Sequence, residues 1–242
     1  MKNTFRRLAL AAFTLALSLP VLAGEAEVRK AVSGILSGDG TIASLQKVPY
    51  GNLYEVVLSN NDIVYVDEKG SFLISGALID LKNRRNVTAA REAELSRIDV
   101  ATLPLKDAIK QVRGNGKRTL ITFEDANCGY CKKLAKDLRD IKDATVYVFM
   151  IPMLSPDSGD KGRNIWCARD RAAVWNDWMV DGRTPAEARC DNPVARNGEL
   201  ARKHRITGTP TILLADGTRL GGYVQLAELD RLMNEAEARV KK

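Results

Sequence analysis

The chain has 242 residues, with 37 Lys and Arg against 30 Asp and Glu and a formal net charge of +7. This length suits two domains, one small and one medium. The charge is diffuse, with no block of like charges among aromatic residues, which disfavours nucleic-acid binding, and only the N-terminus carries a long apolar run.

The N-terminus has the pattern of a secretory signal peptide. Lys2 lies in a basic start, residues 8–19 are apolar, and small or aliphatic residues occupy 21–23. The apolar run is short for a membrane span, although an uncleaved anchor is the alternative. We therefore predict that residues 1–23 are removed, which leaves a soluble protein of net charge +4 outside the cytoplasm.

Residues 24–85 predict a small α+β domain. A helical segment near residues 28–36 precedes short apolar runs that are separated by turn residues, the pattern of an antiparallel meander. A domain of this size has a thin core, and its exposed strand edges favour pairing with a second copy, so we predict a dimerisation module. Docking within the same chain is the alternative. The predicted strands are 53–58, 63–66 and 72–75.

Residues 86–104 predict a helical linker. Gly and Pro are absent until Pro104, and Thr88 is a plausible helix cap. A further helix is predicted over residues 105–112, at the start of the second domain.

Residues 105–242 alternate between strand and helix patterns. The predicted elements are strand 119–123, a helix from 128, strand 144–150, helices around 161–180, strand 211–214, a turn at 216–217, a strand at 219–220 and an amphipathic helix 226–240. Strand, helix, strand, hairpin and final helix is a thioredoxin-like order.

Two of the four cysteines, Cys128 and Cys131, are separated by Gly129 and Tyr130. A buried strand pattern precedes them and a helical pattern follows, so Cys128 is predicted at a helix N-terminus. Unpaired backbone N–H groups and the helix dipole favour a thiolate there. The pattern predicts thiol–disulfide exchange.

A pair of cysteines at this spacing also occurs in haem and zinc sites. Haem attachment needs His after the second cysteine, where this chain has Lys132, and its one histidine is His204. A zinc site would need Cys167 and Cys190, whose separation is unlike the paired spacing of structural zinc ligands. We therefore predict no metal and no bound cofactor, since two sulfurs can carry the electrons themselves.

The chain resembles the DsbC/DsbG family of periplasmic disulfide isomerases, and its DsbC branch most of all. The resemblance covers nearly all of the chain after residue 23. It implies an α+β protein whose thioredoxin-like catalytic domain carries a helical insert and follows a small α+β (cystatin-like) dimerisation domain and a helical linker. The motifs that carry it are FEDANCGYC at 123–131, WCARD at 166–170, GTPTILL at 208–214 and DGT at 216–218.

The resemblance implies roles for the site residues. Cys128 would be the nucleophile and Cys131 the resolving thiol. Pro210 would follow a cis peptide bond that faces the cysteines, and the Thr209 backbone would pair with a substrate strand. Sequence alone favours trans, because only about 5–6% of X–Pro bonds are cis in folded proteins. Substrate contacts are also expected at Gly129 and Tyr130.

Cys167 and Cys190 are expected to form a second, structural disulfide. They lie in the same predicted helical insert, and the resemblance implies the same pairing. Two free buried thiols are the alternative.

One position departs from the wider thioredoxin pattern, in which a buried acid lies six residues before the first cysteine. This chain has Thr122 there, so the group that accepts the Cys131 proton is open. Glu124, Asp125 or water are candidates, although either carboxylate is expected to be solvated at a strand end. Lys132–Lys133 are likewise expected to be solvated helix positions.

These observations predict a periplasmic thiol:disulfide isomerase. The resemblance implies a V-shaped homodimer that binds misoxidised secreted proteins and is kept reduced by an inner-membrane reductase of the DsbD type. The alternatives are a DsbG-like oxidoreductase that protects single cysteines, and a holding chaperone with secondary redox activity.

Overall fold

The computed structural model describes residues 21–36 and 40–241. The predicted signal peptide, residues 1–23, lies outside this range except for its last three residues, whose backbone begins the first helix. The described chain forms two compact units, one that ends at Glu92 and one that begins at Ala93. Among the described residues, no helix is long and apolar enough to cross a membrane.

The N-terminal unit is a four-stranded antiparallel sheet with a helix packed on it. Its strands pair in chain order, β1-β2-β3-β4, which confirms the predicted meander. Helix α1 places Val28 and Val32, one turn apart, in a small core with Tyr54, Val56 and Val66. The elements are α1 (Val21–Ile35), β1 (Ile42–Lys47), β2 (Leu53–Leu58), β3 (Ile63–Asp67), β4 (Leu73–Ile74), the hairpin of β5 (Ile79–Asp80) and β6 (Arg85–Asn86), and α2 (Val87–Leu95).

The helix predicted in the linker is shorter than expected, and its predicted cap is wrong. Asn86 caps α2, because its side-chain oxygen accepts the Ala89 N–H at 2.9 Å. Thr88 is buried instead, with its hydroxyl 2.7 Å from that of Tyr65. The Thr88 hydroxyl, which the sequence predicts as a helix cap, is therefore used in a tertiary contact with Tyr65.

The second unit is built on a five-stranded sheet of order β11-β10-β8-β9-β7. Strands β8 and β9 are parallel and the other neighbours are antiparallel. The elements are two 3₁₀ turns (Val100–Thr102 and Leu105–Asp107), β7 (Ile109–Arg113), β8 (Arg118–Glu124), α3 (Gly129–Asp137), β9 (Ala144–Met150), α4 (Ser158–Trp166), α5 (Arg171–Asp181), α6 (Val194–Lys203), β10 (Thr211–Leu214), β11 (Arg219–Gly221) and α7 (Leu226–Val240).

The central strand β8 is buried on both faces. Leu120 belongs to the core that contains Cys131 and Trp175, whereas Phe123 lies on the opposite face and stacks on Phe149 with ring centroids 4.9 Å apart. Every second side chain of β8 therefore points toward α3 and α5. This alternation determines which side chains reach the cysteines.

The helix predicted over residues 105–112 is wrong. The segment contains one 3₁₀ turn and then β7, an edge strand that pairs with β9. Ile109 and Gln111 are buried while Lys110 and Val112 are exposed, which is the period of a strand. The apolar positions in this run are too few to distinguish the two periods by sequence.

The predicted helical insert consists of α4, α5 and a third helix, α6. A disulfide joins Cys167, at the end of α4, to Cys190, ahead of α6. The two Cα atoms are 5.6 Å apart, and the sequence separation is 23. The bond closes a loop that contains all of α5. It therefore restrains the helices that pack next to the cysteine pair.

Removing this disulfide should destabilise the protein. The double substitution Cys167→Ala and Cys190→Ala is expected to lower the free energy of unfolding by about 3 kcal/mol, because the unfolded chain regains the freedom of the open loop. Urea titration under non-reducing conditions measures the loss. The exposed pair Asp191→Ala and Arg189→Ala, on the same segment, is the control. Equal unfolding midpoints for the variant and the wild type would refute the expectation.

Candidate active site

Cys128 caps the N-terminus of α3. Its backbone is extended (φ −74°, ψ 118°), and its Sγ accepts the N–H of Cys131 at 3.2 Å. The helix dipole and this N–H both favour a negative sulfur. Cys128 is only 4% exposed, so a disulfide must be brought to it.

Thr209 and Pro210 lie against this sulfur. The Thr209–Pro210 peptide bond is cis, and the Cys128 thiol donates to the Thr209 carbonyl oxygen at 3.3 Å. Strand β10 begins directly after Pro210 and pairs with β8, which explains how residues 81 positions apart in the chain meet. The Thr209 hydroxyl oxygen is buried and has no hydrogen-bond partner among the described residues.

Gly129 and Tyr130 lie on the open side of the cysteine pair. Both are exposed, and Tyr130 is 65% exposed. Cys131, by contrast, is completely buried behind Cys128. One sulfur can therefore be approached from solvent, while the other is reached only through its partner.

Glu124 corrects the expectation of a solvated strand end. It is 1% exposed, because it continues the β8 face that α3 covers. Its Oε1 accepts from the Thr122 hydroxyl at 2.7 Å, and its Oε2 has no hydrogen-bond partner among the described residues. Burial raises the pKa of Glu124 to about 7 from an ordinary 4.5. A carboxyl with this pKa can take up and release a proton near neutral pH.

Cys131 needs a nearby proton acceptor before its sulfur can react. Burial, followed by the nearby Glu124 carboxylate, raises the pKa of the Cys131 thiol far above its usual range. Cys131 is therefore a thiol at neutral pH and must lose a proton before it can attack. Glu124 lies close enough to interact with it electrostatically.

Asp125 is also buried, but its two oxygens are occupied. Oδ1 accepts the Asn127 N–H at 2.7 Å and the Ser158 hydroxyl at 2.8 Å. Oδ2 accepts the N–H groups of Met153 and Leu154 at 2.7 and 2.9 Å. The carboxylate therefore ties the segment before Cys128 to the start of α4, and of the two acids Glu124 is the better proton acceptor.

Lys132 is half-buried and lies on an aromatic ring, which corrects the expectation of a solvated position, whereas Lys133 is exposed as expected. The Lys132 Nζ lies 4.0 Å from the centroid of the Trp178 ring, and Lys133 lies 4.3 Å from that of Tyr223. The Lys161 Nζ approaches the same Trp178 ring at 4.8 Å. Helix α5 thus fixes positive charge beside the first turn of α3.

The free energy of unfolding should fall as the pH rises from about 4.5 to about 7. Below pH 4.5 Glu124 is protonated in both the folded and the unfolded chain, whereas above pH 7 the folded chain must hold a buried carboxylate. The stability lost across this window is about 3 kcal/mol. Urea titrations at several pH values measure it. Glu124→Gln should remove this part of the slope, and an unchanged slope would exclude a pKa shift of this size.

A zinc site that includes all four cysteines does not fit this arrangement. The disulfide uses both sulfurs of Cys167 and Cys190. Among the described residues, no cluster of three or more His, Cys, Asp and Glu side chains is placed to hold a metal ion.

Both units match known protein families. Residues 20–89 match the disulfide bond isomerase protein N-terminal domain, and residues 105–237 match the thioredoxin-like domain. These matches confirm the predicted fold class, with a thioredoxin-like domain after a small N-terminal domain.

Proteins with similar sequences are named for disulfide exchange. The probable thiol:disulfide interchange protein DsbC of Bordetella pertussis is 46% identical over 189 residues, which are 78% of this chain and 67% of the relative. The thiol:disulfide interchange protein DsbC of Escherichia coli is 28% identical over 206 residues, 84% of this chain and 83% of the relative. The crystal structure of the disulfide interchange protein from Neisseria gonorrhoeae matches with a TM-score of 0.54 and 39% identity, over 55% of this chain and 98% of that one. The Cys128–Cys131 pair thus lies in a chain that belongs to the DsbC family of thiol:disulfide interchange proteins and is a thiol–disulfide exchange enzyme.

Proposed function

We propose that this chain is a periplasmic thiol:disulfide isomerase that reduces and reshuffles incorrect disulfides in secreted proteins. One observation carries the proposal: the Cys128 sulfur lies at a helix N-terminus, 3.3 Å from the Thr209 carbonyl oxygen, with Cys131 buried behind it. This arrangement supports attack by the first sulfur and resolution by the second.

The reaction begins when the Cys128 thiolate attacks a substrate disulfide. A bond forms between Cys128 and one substrate sulfur, and the other substrate sulfur leaves as a thiolate. In isomerisation that thiolate, or another one of the substrate, attacks the mixed disulfide and releases Cys128. In reduction, Cys131 gives its proton to Glu124 and attacks Cys128, which expels the substrate thiolate and closes the Cys128–Cys131 bond.

The substrate chain is proposed to lie along Thr209 and Pro210. An extended peptide can pair with the Thr209 backbone as an added strand next to the sulfur. Gly129 and Tyr130 form the exposed side of the same site, so we propose that they also contact the substrate.

Isomerisation requires a reduced Cys128, since an oxidised pair has no attacking thiolate. We propose that an inner-membrane reductase of the DsbD type supplies the electrons.

The N-terminal unit is proposed to form a homodimer with a second copy of the chain. β4 lies at the edge of its sheet, and large apolar side chains on it and on the residues around it are exposed. They are Phe72, Leu73, Ile74, Ile79 and Leu81.

Two negative charges introduced at the exposed apolar surface around β4 should dissociate the proposed homodimer. Phe72→Glu with Ile74→Glu is expected to convert a dimer into a monomer, because both charges would be buried without partners in the interface. Sedimentation at micromolar concentration measures the mass. Ile35→Glu, on an exposed position of α1, is the matched control and should remain dimeric. A wild-type monomer would rule out the dimer.

Refolding of ribonuclease with scrambled disulfides tests the function as a whole. In a glutathione buffer the reduced wild-type chain should restore native pairing faster than the buffer alone. A chain that reduces insulin but restores no native ribonuclease would instead have the DsbG-like activity. If Cys128→Ala kept full activity in an aggregation-suppression assay and in cells, the chain would instead be a holding chaperone with secondary redox activity.

A further inference from the structure

A small cavity lies beside Glu124, on the side of the sheet that α3 and α5 cover. Its volume is about 10 Å³, counted as space open to the centre of a water molecule, which is close to the least that holds one water. Glu124 lines it, and the Oε2 of this carboxyl has no protein partner among the described residues. A buried carboxyl oxygen of this kind needs a hydrogen-bond partner.

The far side of the cavity is polar. Gln111 and Arg113 on β7 line it together with Asn176 on α5. The Gln111 Oε1 accepts from Asn176 Nδ2 at 3.1 Å and from Arg113 Nη2 at 2.9 Å. Gln111 is buried, whereas Asn176 and Arg113 are half-buried, so these groups extend from Glu124 to the surface at the edge of the sheet.

The chemistry of the pair requires an exit for a proton. When Cys131 attacks, its proton passes to Glu124, and Glu124 must lose it before the next cycle. At that moment the bound substrate covers the cysteine pair, so the proton cannot leave on that side. The remaining wall of the cavity is apolar and includes Ala135, Leu138 and Trp175. The side-chain amides of Gln111 and Asn176 therefore lie on the polar route from Glu124 to solvent.

We propose that this cavity holds one water that accepts the proton from Glu124 Oε2 and passes it to solvent beside Gln111 and Asn176. These two residues are positioning residues, since they hold the water and do not touch the reacting sulfurs. The charged or titratable groups that face Glu124 are Cys131 on α3 and Arg113 on β7. Arg113 donates to the Gln111 Oε1, so its role is to orient this amide.

The inference rests on the proposed resolving step and is tested on that step alone. Cys128 is loaded with glutathione, and the rate at which Cys131 expels it is followed by stopped flow between pH 5.5 and 8.5, in H₂O and in D₂O. Gln111→Leu fills the cavity with an apolar side chain and should slow expulsion about tenfold, less than the 10²–10⁴ that a positioned proton acceptor contributes. The solvent isotope effect should increase, and alkylation of Cys128 by iodoacetamide should keep its wild-type rate.

Three further variants make the test specific. Asn176→Leu closes the same cavity from α5 and should slow expulsion as Gln111→Leu does. If one of the two variants folds poorly, the other one still tests the proposal. Gln111→Asn keeps an amide and should restore most of the rate. Val112→Thr, on the exposed face of the same strand, should behave as the wild type. Wild-type rates, pH profile and isotope effect in both leucine variants would overturn the proposal, as would a crystal structure with no water density in the cavity. A wild-type chain that expels glutathione but does not refold scrambled ribonuclease would contradict the isomerase function and leave the relay standing.

Discussion

Replacing Cys128 with alanine should abolish both insulin reduction and the recovery of scrambled ribonuclease, down to the rate of the buffer alone. Cys128 provides the sulfur that faces Thr209 and can be approached from outside, whereas Cys131 is completely buried. No other cysteine can replace it, because Cys131 is buried out of reach of a substrate disulfide and the Cys167 and Cys190 sulfurs are bonded to each other. Turnover in both assays measures the loss.

Cys131→Ala is the matched control, since it removes the other sulfur of the pair. This variant should still attack, and it should accumulate a covalent complex with the substrate that mass spectrometry detects. Circular dichroism should be unchanged in both variants. Exchange activity in Cys128→Ala above the buffer rate would show that the assigned nucleophile is wrong.

Glu124→Gln should slow the attack of Cys131 on a mixed disulfide by about 10²-fold, the lower end of what a positioned proton acceptor contributes. The amide keeps the size of the side chain and its contact with Thr122, but it cannot take the Cys131 proton. The wild-type rate should increase with pH through the Glu124 pKa of about 7, and this increase should be absent in the variant. Stopped-flow measurement of glutathione release gives both results.

The control for this prediction is the same substitution at an exposed acid. Glu187→Gln, where the carboxylate pairs with Arg189 on the surface, should leave the rate and its pH profile unchanged. The first attack by Cys128 should also be unaffected in Glu124→Gln. A wild-type rate of release in Glu124→Gln would leave water or Asp125 as the acceptor.

The fold was predictable where an element has a strong apolar pattern of its own. β2, β9, β10 and α7 have the predicted bounds, because each is a clear run between turn residues. Helix α6 was missed for the opposite reason. Its buried positions, at helical spacing, are Val194, Asn197, Gly198 and Ala201, and three of these are polar or small, so no hydrophobic stripe marks it.

The candidate site was predictable in its sulfurs but not in its surroundings. Two cysteines at this spacing after a strand indicate the candidate nucleophile by a local pattern. Glu124 was misjudged because its burial depends on the central position of β8, which only the sheet order reveals. The alternation Leu120, Thr122, Glu124 was the available signal, since it places the acid on the face of a buried leucine. The contact of Lys132 with Trp178 has no local signal in the sequence at all.

The low solvent exposure of Cys128 determines which substrate disulfides it can attack under the proposed function. A sulfur that is 4% exposed can meet only a disulfide that protrudes on a loose stretch of chain. Native disulfides packed inside a folded protein stay out of its reach, whereas mispaired ones are carried by chains that cannot close their cores. The enzyme therefore needs no contact that distinguishes a correct pairing from an incorrect one. Exchange stops when the substrate folds, because its disulfides are then buried in its own core.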